Sequence, residues 1–497
     1  MIIMENKGQK PAEIDENHLV QERIRKLNEL KELGVNPYPY KYDKTHDCSD
    51  LKKKYEGLAP EEKTGDSVSV AGRIMLNRNM GKAAFMTIQD QSGKLQIYLR
   101  EDGIGETYKL LKKIDIGDFI GVKGKIFKTR TGEVTVEASE FTILCKSIRP
   151  LPEKFHGLVD TEIRYRKRYL DLIMNEDVKN VFIMRNKIIR EIRKFLDDKS
   201  FIEVETPILQ PIYGGASAKP FKTHHNALKR DLYLKISPEL YLKRLIVGGF
   251  EKVYDISKNF RNEGIDFSHN PEFTMIEWYQ AYADYNDMMD MTQELIKTVC
   301  KNVLGNMVID FKGTAIDLSK KFERISMVDA LKKYADIDVD KYDDEEIKGL
   351  VNIYNLEYHG DLSRGAIITV LFEELVEEKL IQPTFVIDYP IEVCPLTKVH
   401  RKDPRYVERF ELFINGTEWS NAYSELNDPI DQKNRLMQQE KNRVIDEESH
   451  PMDEDFVCAI DHGMPPTGGV GIGIDRLIML FTNSDSIRDV ILFPTLK

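Results

Sequence analysis

The stretch that decides the fold of this 497-residue chain is Phe260-Arg-Asn-Glu-Gly-Ile-Asp-Phe-Ser-His-Asn-Pro-Glu-Phe-Thr-Met-Ile-Glu277. Its pattern predicts a strand, a polar loop and a return strand that begins at Pro271. Because strand side chains alternate between faces, Arg261 and Glu263 are expected to point the same way. One face of the return strand carries Phe273, Met275, Glu277 and Tyr279. An arginine can clamp a phosphate and an aromatic ring can stack on a nucleobase, but an ordinary hairpin with solvent-facing charges fits the same pattern.

The composition is typical of a large, acidic globular enzyme. At 497 residues the chain should divide into two or more domains, and 41% of its residues are hydrophobic and 31% charged. No apolar run reaches the length of a membrane span, the first residues lack a signal-peptide pattern, and the cysteines are scattered, so we expect a cytoplasmic protein. The net charge of -11 neither suggests nor excludes an RNA partner, because RNA binding depends on local basic patches.

The hydrophobic pattern predicts an α+β protein in several parts. Residues 1–65 predict a helical N-terminal extension, and residues 66–148 predict five short strands, the size of an OB-fold β-barrel. Residues 149–176 are interpreted as a basic, aromatic linker or hinge. Residues 177–497 are expected to form the second domain, with a helical, acidic insertion at about 320–385 outside its central sheet. The five strands are expected at Val68–Val70, Phe85–Ile88, Leu95–Leu99, Phe119–Val122 and Val134–Phe141.

Three ordered motifs are similar to those of a known family. The chain resembles motif 2 of the class II aminoacyl-tRNA synthetases, in the form typical of the lysyl-tRNA synthetases, at Phe260-Arg-x-Glu263 followed by His269-Asn-Pro-Glu-Phe-Thr274. Motif 1 resembles Phe201-Ile-Glu-Val-Glu-Thr-Pro207, and motif 3 resembles Gly469-Val-Gly-Ile-Gly-Ile-Asp-Arg476. With the barrel, the resemblance covers nearly the whole chain. It implies an OB-fold anticodon-binding domain and a catalytic domain in which helices flank an antiparallel sheet.

Other nucleotide-binding patterns do not fit. The chain has no G-x-x-x-x-G-K-[ST] motif, and the glycines of motif 3 fail the dinucleotide fingerprint because Ile474 stands where its third glycine belongs. By resemblance, Arg261 holds the α-phosphate and the amino-acid carboxylate, while Phe273 and Arg476 cover the two faces of the adenine. The resemblance assigns ATP binding to Arg261, Glu263, His269, Asn270, Phe273 and Arg476, with Arg261 and Arg476 as the catalytic residues.

A second hairpin is predicted within residues 408–425, where Asn415-Gly416 is a strong two-residue turn signal. Such a turn places Glu411 and Glu418 diagonally on one sheet face, where like charges repel unless a cation joins them or water separates them. A hard cation such as Mg²⁺, ligated by carboxylates and substrate phosphates, fits the pair. The family resemblance also implies magnesium-binding carboxylates at these two positions.

The return strand of this hairpin predicts an irregularity. In a regular strand Asn421 and Glu425 would point away from Glu418, whereas the resemblance places both in the amino-acid pocket. Both assignments hold only if an extra residue shifts the register. We therefore predict a β-bulge near Trp419 or Ser420.

The charge of the substrate predicts its pocket. A buried lysine ε-ammonium needs a carboxylate partner, and Glu425 beside the Tyr279 hydroxyl is expected to supply it. Glu239, in the first turn of a helix, could simply complement the helix dipole, but by resemblance it binds the α-ammonium. One missing methylene is worth only about 1–3 kcal/mol, so imperfect rejection of ornithine is expected. The resemblance assigns lysine binding to Gly215, Glu239, Glu277, Tyr279, Asn421, Tyr423, Glu425 and Gly471.

The barrel is expected to read an anticodon, because single-stranded RNA is bound by aromatic stacking and by polar side chains that read base edges. Phe85 could instead belong to the barrel core. The residues expected on the binding surface are Arg73, Arg78, Lys82, Phe85 and Gln96.

The resemblance implies a two-step reaction in which ATP activates L-lysine and tRNA(Lys) then accepts it. It also implies Mg²⁺ as cofactor and a homodimer formed through motif 1. An aspartyl- or asparaginyl-tRNA synthetase would share the motifs and the barrel but would need cationic groups where this chain has Glu425. A protein lysyltransferase paralogue would lack the barrel. A non-catalytic RNA-binding relative need not keep Arg261, Glu411, Glu418 and Arg476.

Overall fold

The protein divides into two compact units, Met1–Gly157 and Leu158–Lys497. Its structure, a computed structural model, describes residues 11–152, 158, 160–356, 363–442 and 451–496. Parts of the predicted N-terminal extension, linker and insertion lie outside these described residues, and the finer domain boundaries stay predictions. Across the described residues, none of the helices is long and apolar enough to cross a membrane.

The first unit is built on a small barrel. Its described strands are β1 (Lys63–Asn79), β2 (Ala83–Gln89), β3 (Lys94–Arg100), β4 (Phe119–Lys128) and β5 (Val134–Cys145). They close in the order β1-β2-β3-β5-β4, and all pairs are antiparallel except β3 with β5. Each of the five strands expected from the sequence lies within these bounds, so the predicted five-stranded barrel is confirmed.

The barrel is filled by alternate residues of its strands. In β2, Ala84, Met86 and Ile88 are buried in the core, so Phe85 between them points to the outer face. The alternative that Phe85 belongs to the barrel core is therefore excluded, and its expected place on the outer surface is kept.

Helices close the barrel within the same unit. Gly34 takes a φ of 74°, the left-handed conformation that commonly ends a helix. Leu30 and Leu51, from two of these helices, are buried with the barrel core. The described helices of the unit are α1 (Pro11–Glu32), α2 (Cys48–Lys54), α3 (Glu101–Ile104) and a 3₁₀ turn at Gly105–Lys112.

The second unit is organised around a large mixed sheet. Its described strands are β6 (Ile202–Glu203), β7 (Leu209–Gln210), β8 (Lys222–His225), β9 (Arg230–Leu234), β10 (Lys252–Phe260), β11 (Glu272–Ala281), β12 (Val308–Phe311), β13 (Thr314–Asp317), β14 (Glu323–Ser326), β15 (Thr384–Pro390), β16 (Tyr406–Ile414), β17 (Thr417–Ser424) and β18 (Thr467–Gly473). The main sheet runs β14-β15-β16-β17-β18-β11-β10-β6. Its interior pairs are antiparallel and only the outer pairs, β14–β15 and β10–β6, are parallel. This confirms the expected antiparallel core.

One face of this sheet is covered by helices. The described helices are α4 (Thr161–Arg166), α5 (Arg168–Met174), α6 (Glu176–Asp198), α7 (Glu239–Val247), α8 (Tyr285–Leu304), α9 (Met327–Ala335), α10 (Asp344–Ile353), α11 (Arg364–Leu375), α12 (Pro429–Asn442), α13 (Glu454–Asp461), α14 (Ile474–Thr482) and α15 (Ile487–Val490), with 3₁₀ turns at Val339–Lys341, Glu377–Lys379 and Ile391–Val393. Helices α6, α8 and α14 bury Ile192, Leu295 and Leu477 in one core with Ile276 and Trp278 of β11. Since strand side chains alternate, the opposite face of β11 is free to line a site.

The described parts of the predicted insertion and linker both contribute structure to the second unit. Helices α9 to α11 pack in a separate core that includes Val386 of β15 and Phe413 of β16, so they lie against the main sheet. In addition, β14 before them is an edge strand of that sheet, because Glu323–Ser326 pairs with Thr384–Ile387. Helices α4 and α5 lie in the second unit and are held there by side chains. Arg168, which is 1% exposed, donates hydrogen bonds to the backbone oxygens of Arg488 and Leu492. Arg168 thus anchors α5 within the second unit.

Candidate active site

A cavity of about 390 Å³ opens in the second unit, on the face of the main sheet opposite α6, α8 and α14. It brings together residues that are far apart in sequence. Of the predicted site residues, those lining the cavity are Gly215, Glu239, Arg261, Glu263, His269, Asn270, Phe273, Glu277, Tyr279, Glu411, Glu418, Asn421, Tyr423, Gly471 and Arg476. Glu425 is not among the lining residues.

The first hairpin supplies an arginine and an aromatic ring. The Arg261 backbone N–H donates to Pro271 O at 2.9 Å, which extends the β10–β11 ladder past the end of β10. The guanidinium carbon of Arg261 lies 5.1 Å from the Phe273 ring centroid. Burial lowers the pKa of Arg261, and its Nε–H has no hydrogen-bond partner among the described residues. A buried guanidinium with an N–H donor that has no partner is suited to bind an anion.

One aspartate, Asp266, stabilises the loop between β10 and β11 through hydrogen bonds. Asp266 accepts hydrogen bonds from the backbone N–H groups of Ser268 and His269, at 2.6 and 2.7 Å. Its other oxygen lies 2.9 Å from His269 Nδ1. Arg476 Nη2 lies 3.5 Å from His269 Nε2 and Arg476 Nη1 donates to Glu418 O at 2.8 Å. Motifs 2 and 3 therefore meet at this edge of the cavity.

Arg476 is positioned through the residue before it, which sequence reasoning did not assign. Asp475 accepts a hydrogen bond from Thr274 N at 2.6 Å and pairs with Arg185 Nη1 at 2.5 Å. Because Asp475 is 1% exposed, this network fixes the first turn of α14 against β11 and α6. Its only sequence signal is the Asp-Arg pair that opens the helix.

The second hairpin contains the predicted bulge. Phe413 pairs with Glu418 and Leu412 pairs with Ser420, which leaves Trp419 as the extra residue. Trp419 is buried and its Nε1–H donates to Ile414 O at 2.8 Å. The prediction of a bulge at this point is confirmed, and it turns Asn421 to the same face as Glu418.

Two carboxylates of this hairpin line the cavity together. Glu411 accepts a hydrogen bond from the Tyr389 hydroxyl at 2.7 Å and pairs with Arg409. Burial raises the pKa of Glu411, and the charge of Glu418 raises it further. Neither Arg409 nor Tyr389 was predicted, although Arg409 stands two residues before Glu411 and thus on its face.

This carboxylate pair fits Mg²⁺ bound together with substrate phosphates better than it fits a metal ion whose ligands all come from the protein. Within the described residues, no cluster of three or more His, Cys, Asp or Glu side chains could hold a metal. Mg²⁺ usually takes one or two carboxylates and completes its shell with water and phosphate oxygens. Burial and the charge of Glu411 also raise the pKa of the neighbouring Glu377 to about 7. Glu411 and Glu418 are therefore suited to a cation that arrives with a polyphosphate.

A chamber of acidic side chains forms another part of the cavity. The Ser237 and Tyr279 hydroxyls donate to Glu277 Oε1 and Oε2 at 2.7 and 3.1 Å. Burial raises the pKa of Glu277 to about 8, and the charge of Glu239 adds to the rise. Gly215 has a φ of 85°, and a Cβ there would lie 2.8 Å from Glu239 Cβ. The backbone can come this close to Glu239 only because position 215 is glycine.

Glu425 lies behind the chamber wall. A Cβ on Gly469 would lie 2.2 Å from Glu425 Oε1 and 2.4 Å from the Tyr279 ring, so the missing side chain allows both groups to stand next to β18. Glu425 is 1% exposed and Lys243 Nζ lies 2.5 Å from its Oε2. The same Nζ donates to Glu239 Oε1 at 2.6 Å. Sequence reasoning assigned no role to Lys243, although its spacing of four residues from Glu239 on α7 was a signal.

In the first unit, the barrel presents an aromatic row on its outer face. Phe85 and Tyr98 are cross-strand partners whose ring centroids stack at 4.6 Å, and the Phe127 ring follows at 5.9 Å from Tyr98. Arg78 is exposed opposite Phe85. Tyr98 and Phe127 were not predicted as site residues. The available sequence signal was that both are aromatic residues in barrel strands, β3 and β4.

The other polar residues expected on this surface are partly engaged within the protein. Arg73 donates to Gly117 O at 2.9 Å, and its guanidinium carbon lies 4.2 Å from the Phe119 ring centroid. Gln96 Oε1 accepts from the Thr135 hydroxyl at 3.3 Å. Arg78 and Phe85 are thus the better-placed members of the predicted set.

Comparison with known proteins agrees with both units. Residues 160–497 match the family described as tRNA synthetases class II (D, K and N), and residues 68–144 match the OB-fold nucleic acid binding domain. The lysine–tRNA ligase of Pelotomaculum thermopropionicum is 56% identical over 490 residues, which cover 98% of this chain and 96% of the relative. That of Carboxydothermus hydrogenoformans is 54% identical over 489 residues, covering 97% and 98%. That of Clostridium novyi is 54% identical over 502 residues, covering 100% and 98%.

Proposed function

Because this chain belongs to the class II tRNA synthetases of the aspartate, lysine and asparagine group, we propose that it is a lysine–tRNA ligase. The observation that carries the proposal is the composition of one cavity. It contains an arginine stacked near an aromatic ring, Arg261 and Phe273, together with buried carboxylates, Glu239 and Glu277. The first pair suits a nucleotide and the second suits an amino acid with two ammonium groups.

In the first step, a lysine carboxylate oxygen attacks the α-phosphorus of ATP, the bond to the bridging oxygen breaks, and pyrophosphate leaves. No protein nucleophile is required. Arg261 binds the α-phosphate and the lysine carboxylate, brings the two anions together and stabilises the charge of the transition state. The adenine stacks on Phe273 under Arg476 and is contacted by Glu263, with Asn270 and His269 nearby.

Mg²⁺ would be held by Glu411 and Glu418, and it supplies charge neutralisation and orientation of the phosphates. These residues are half-buried and line the same cavity as Arg261. Arg409 and Tyr389 hold the Glu411 carboxylate in place. In the second step, the terminal ribose hydroxyl of tRNA attacks the lysyl carbonyl and AMP leaves.

Lysine selection follows from the acidic chamber. Glu239 receives the α-ammonium beside Gly215. Glu277 with Tyr279 and the Glu425 carboxylate behind Gly469 receive the ε-ammonium, and Asn421, Tyr423 and Gly471 complete the wall. An aspartate or asparagine side chain would meet carboxylates here, which argues against those two substrates.

The barrel face is proposed to bind the tRNA(Lys) anticodon, with bases stacked on the Phe85–Tyr98 row and Arg78 near their edges. This unit also separates the protein from lysyltransferase paralogues without a barrel. We further propose a cytoplasmic homodimer. Exposed apolar side chains in motif 1 and just after it, Ile202 and Leu209, each 49% exposed, support a partner copy there.

Charging of tRNA transcripts tests the proposal. With radioactive lysine, ATP and Mg²⁺, a tRNA(Lys) transcript should be charged, and a transcript with a substituted anticodon should be charged at least about tenfold less efficiently. Charging with aspartate or asparagine, or no charging at all, would overturn it.

A further inference from the structure

Lys243 is a buried cation that the reaction described above does not use. Its ammonium group is 0% exposed, and it lies 2.6 Å from Glu239 and 2.5 Å from Glu425. These are the two carboxylates proposed to receive the α- and ε-ammonium groups of lysine. Lys243 does not line the cavity, and the proposed reaction gives it no contact with the substrate.

Without a cation, this chamber would concentrate negative charge in a buried space. Three carboxylates, Glu239, Glu277 and Glu425, are each less than 5% exposed. Buried carboxylates resist ionisation, because desolvation disfavours the charged form and like charges repel. Burial and the charge of Glu239 raise the pKa of Glu277 to about 8; burial raises that of Glu425 to about 8, although Lys243 opposes this rise.

Lysine can be held well only if the chamber is anionic, since its two ammonium groups need ionised partners. A protonated carboxylic acid would have to lose its proton when lysine binds. Lys243 is placed to reduce this requirement by compensating Glu239 and Glu425 at the same time. The titratable groups that face Lys243 and its two partners from the surrounding elements are Glu277 and Tyr279 of β11 and Tyr423 of β17, and Asp255 of β10 acts in turn on Glu277.

We propose that Lys243 is a positioning residue for lysine selection, a built-in counter-cation that holds Glu239 and Glu425 in place and balances their charge before the substrate arrives. This inference rests on the proposed lysine–tRNA ligase activity. Lys243 acts through the two carboxylates and therefore sets the pH range in which lysine is bound. The nucleotide part of the cavity does not depend on it.

The test is the pH profile of kcat/KM for lysine in ATP–pyrophosphate exchange between pH 6 and 9. Lys243→Met keeps the length of the side chain but removes the charge, so the acidic limb should move to higher pH by about one unit or more. At pH 7 the KM for lysine should rise about tenfold, with recovery toward the unmodified enzyme at pH 9. The KM for ATP should stay within about twofold.

Two further variants separate charge from packing. Lys243→Arg keeps the charge, so the position of its acidic limb should match the unmodified enzyme even if its rate is lower. Lys146→Met removes an equally buried lysine of the first unit, which pairs with Asp115 and Asp118, and should lower stability without moving the limb. Lys243→Gln is the second neutral variant if Lys243→Met does not fold.

The outcomes are distinct. A folded neutral variant with an unmoved limb, or a limb displaced in Lys243→Arg, would overturn the role of Lys243. If neither neutral variant folds, the limb of Lys243→Arg alone decides. No lysine-dependent exchange by the unmodified enzyme would instead overturn the proposed function itself.

Discussion

Glu411 is the direct cross-strand partner of Asn421, and Trp419 is the extra residue that creates this pairing. Without it, Asn421 would lie on the opposite face of the sheet, away from the cavity, because a shift of one residue reverses every side chain. The bulge therefore allows Glu418, the proposed metal ligand, and the strand residues after it to line one cavity.

Deletion of Trp419 should abolish lysine binding while the hairpin still forms. The variant should lose lysine-dependent exchange by about 100-fold or more, because Asn421 and Tyr423 leave the cavity. Trp419→Phe is the matched control, since it keeps the extra residue and an aromatic ring. It loses the hydrogen bond to Ile414, worth about 1 kcal/mol, and part of the buried ring volume, but it does not change the register. A deletion variant that folds by circular dichroism and binds lysine normally would refute the role of the bulge.

The raised pKa of Glu277 predicts how stability depends on pH. Its carboxyl ionises more readily in the unfolded chain, near its ordinary value of 4.5, than in the folded protein, near 8. The wild type therefore loses stability as pH rises through this window, by up to about 1.4 kcal/mol per pH unit. Glu277→Gln removes the loss, so its melting temperature should gain on the wild type between pH 5 and pH 8 without ligands. Glu345→Gln, at an exposed glutamate, is the control and should show no such trend. If the difference in melting temperature between Glu277→Gln and the wild type did not change with pH, the buried carboxyl of Glu277 would not be neutral.

Local patterns predicted most of the fold and much of the site. The five barrel strands, both hairpins and the bulge could be predicted because alternation, Asn415-Gly416 and residue parity are short-range signals. The edge strand β14 could not, since its four residues gain strand structure only by pairing with β15, beyond three helices.

Partners brought together by tertiary folding were also not predictable. The alternation of side chains along the strand correctly placed Glu425 on the same face as Asn421. It could not predict that Gly469 and Tyr279 would lie between Glu425 and the cavity. The pairing of Glu425 with Lys243 depends on α7 packing near the end of β17. A buried ion pair between distant segments leaves no periodic trace in the sequence.

Glu418→Gln should weaken the affinity for Mg²⁺. Removing one of two carboxylates should raise the Mg²⁺ concentration for half-maximal exchange by about tenfold or more, with the KM for lysine little changed. Glu378→Gln, at an exposed glutamate near the Gly416 turn, is the control and should respond to Mg²⁺ like the wild type. An unchanged Mg²⁺ requirement in Glu418→Gln would move the metal site elsewhere.

Phe85→Ala should separate tRNA recognition from amino-acid activation. Loss of the ring that stacks on Tyr98 removes a platform worth about 1–3 kcal/mol per stacked base, so the KM for tRNA should rise about tenfold while exchange is unaffected. Thr87→Ala, on the same face of β2, is the matched control. Equal charging by wild type and Phe85→Ala would exclude the aromatic row from anticodon binding.

The selection of lysine by the acidic chamber is tested most directly by amino-acid-dependent ATP–pyrophosphate exchange with lysine, ornithine, arginine, aspartate and asparagine. Exchange should be strong with lysine, weak but measurable with ornithine, and absent with aspartate and asparagine, because the chamber offers carboxylates to a second ammonium group. Exchange driven by aspartate or asparagine, or silence with all five in the presence of Mg²⁺, would contradict this account of the cavity.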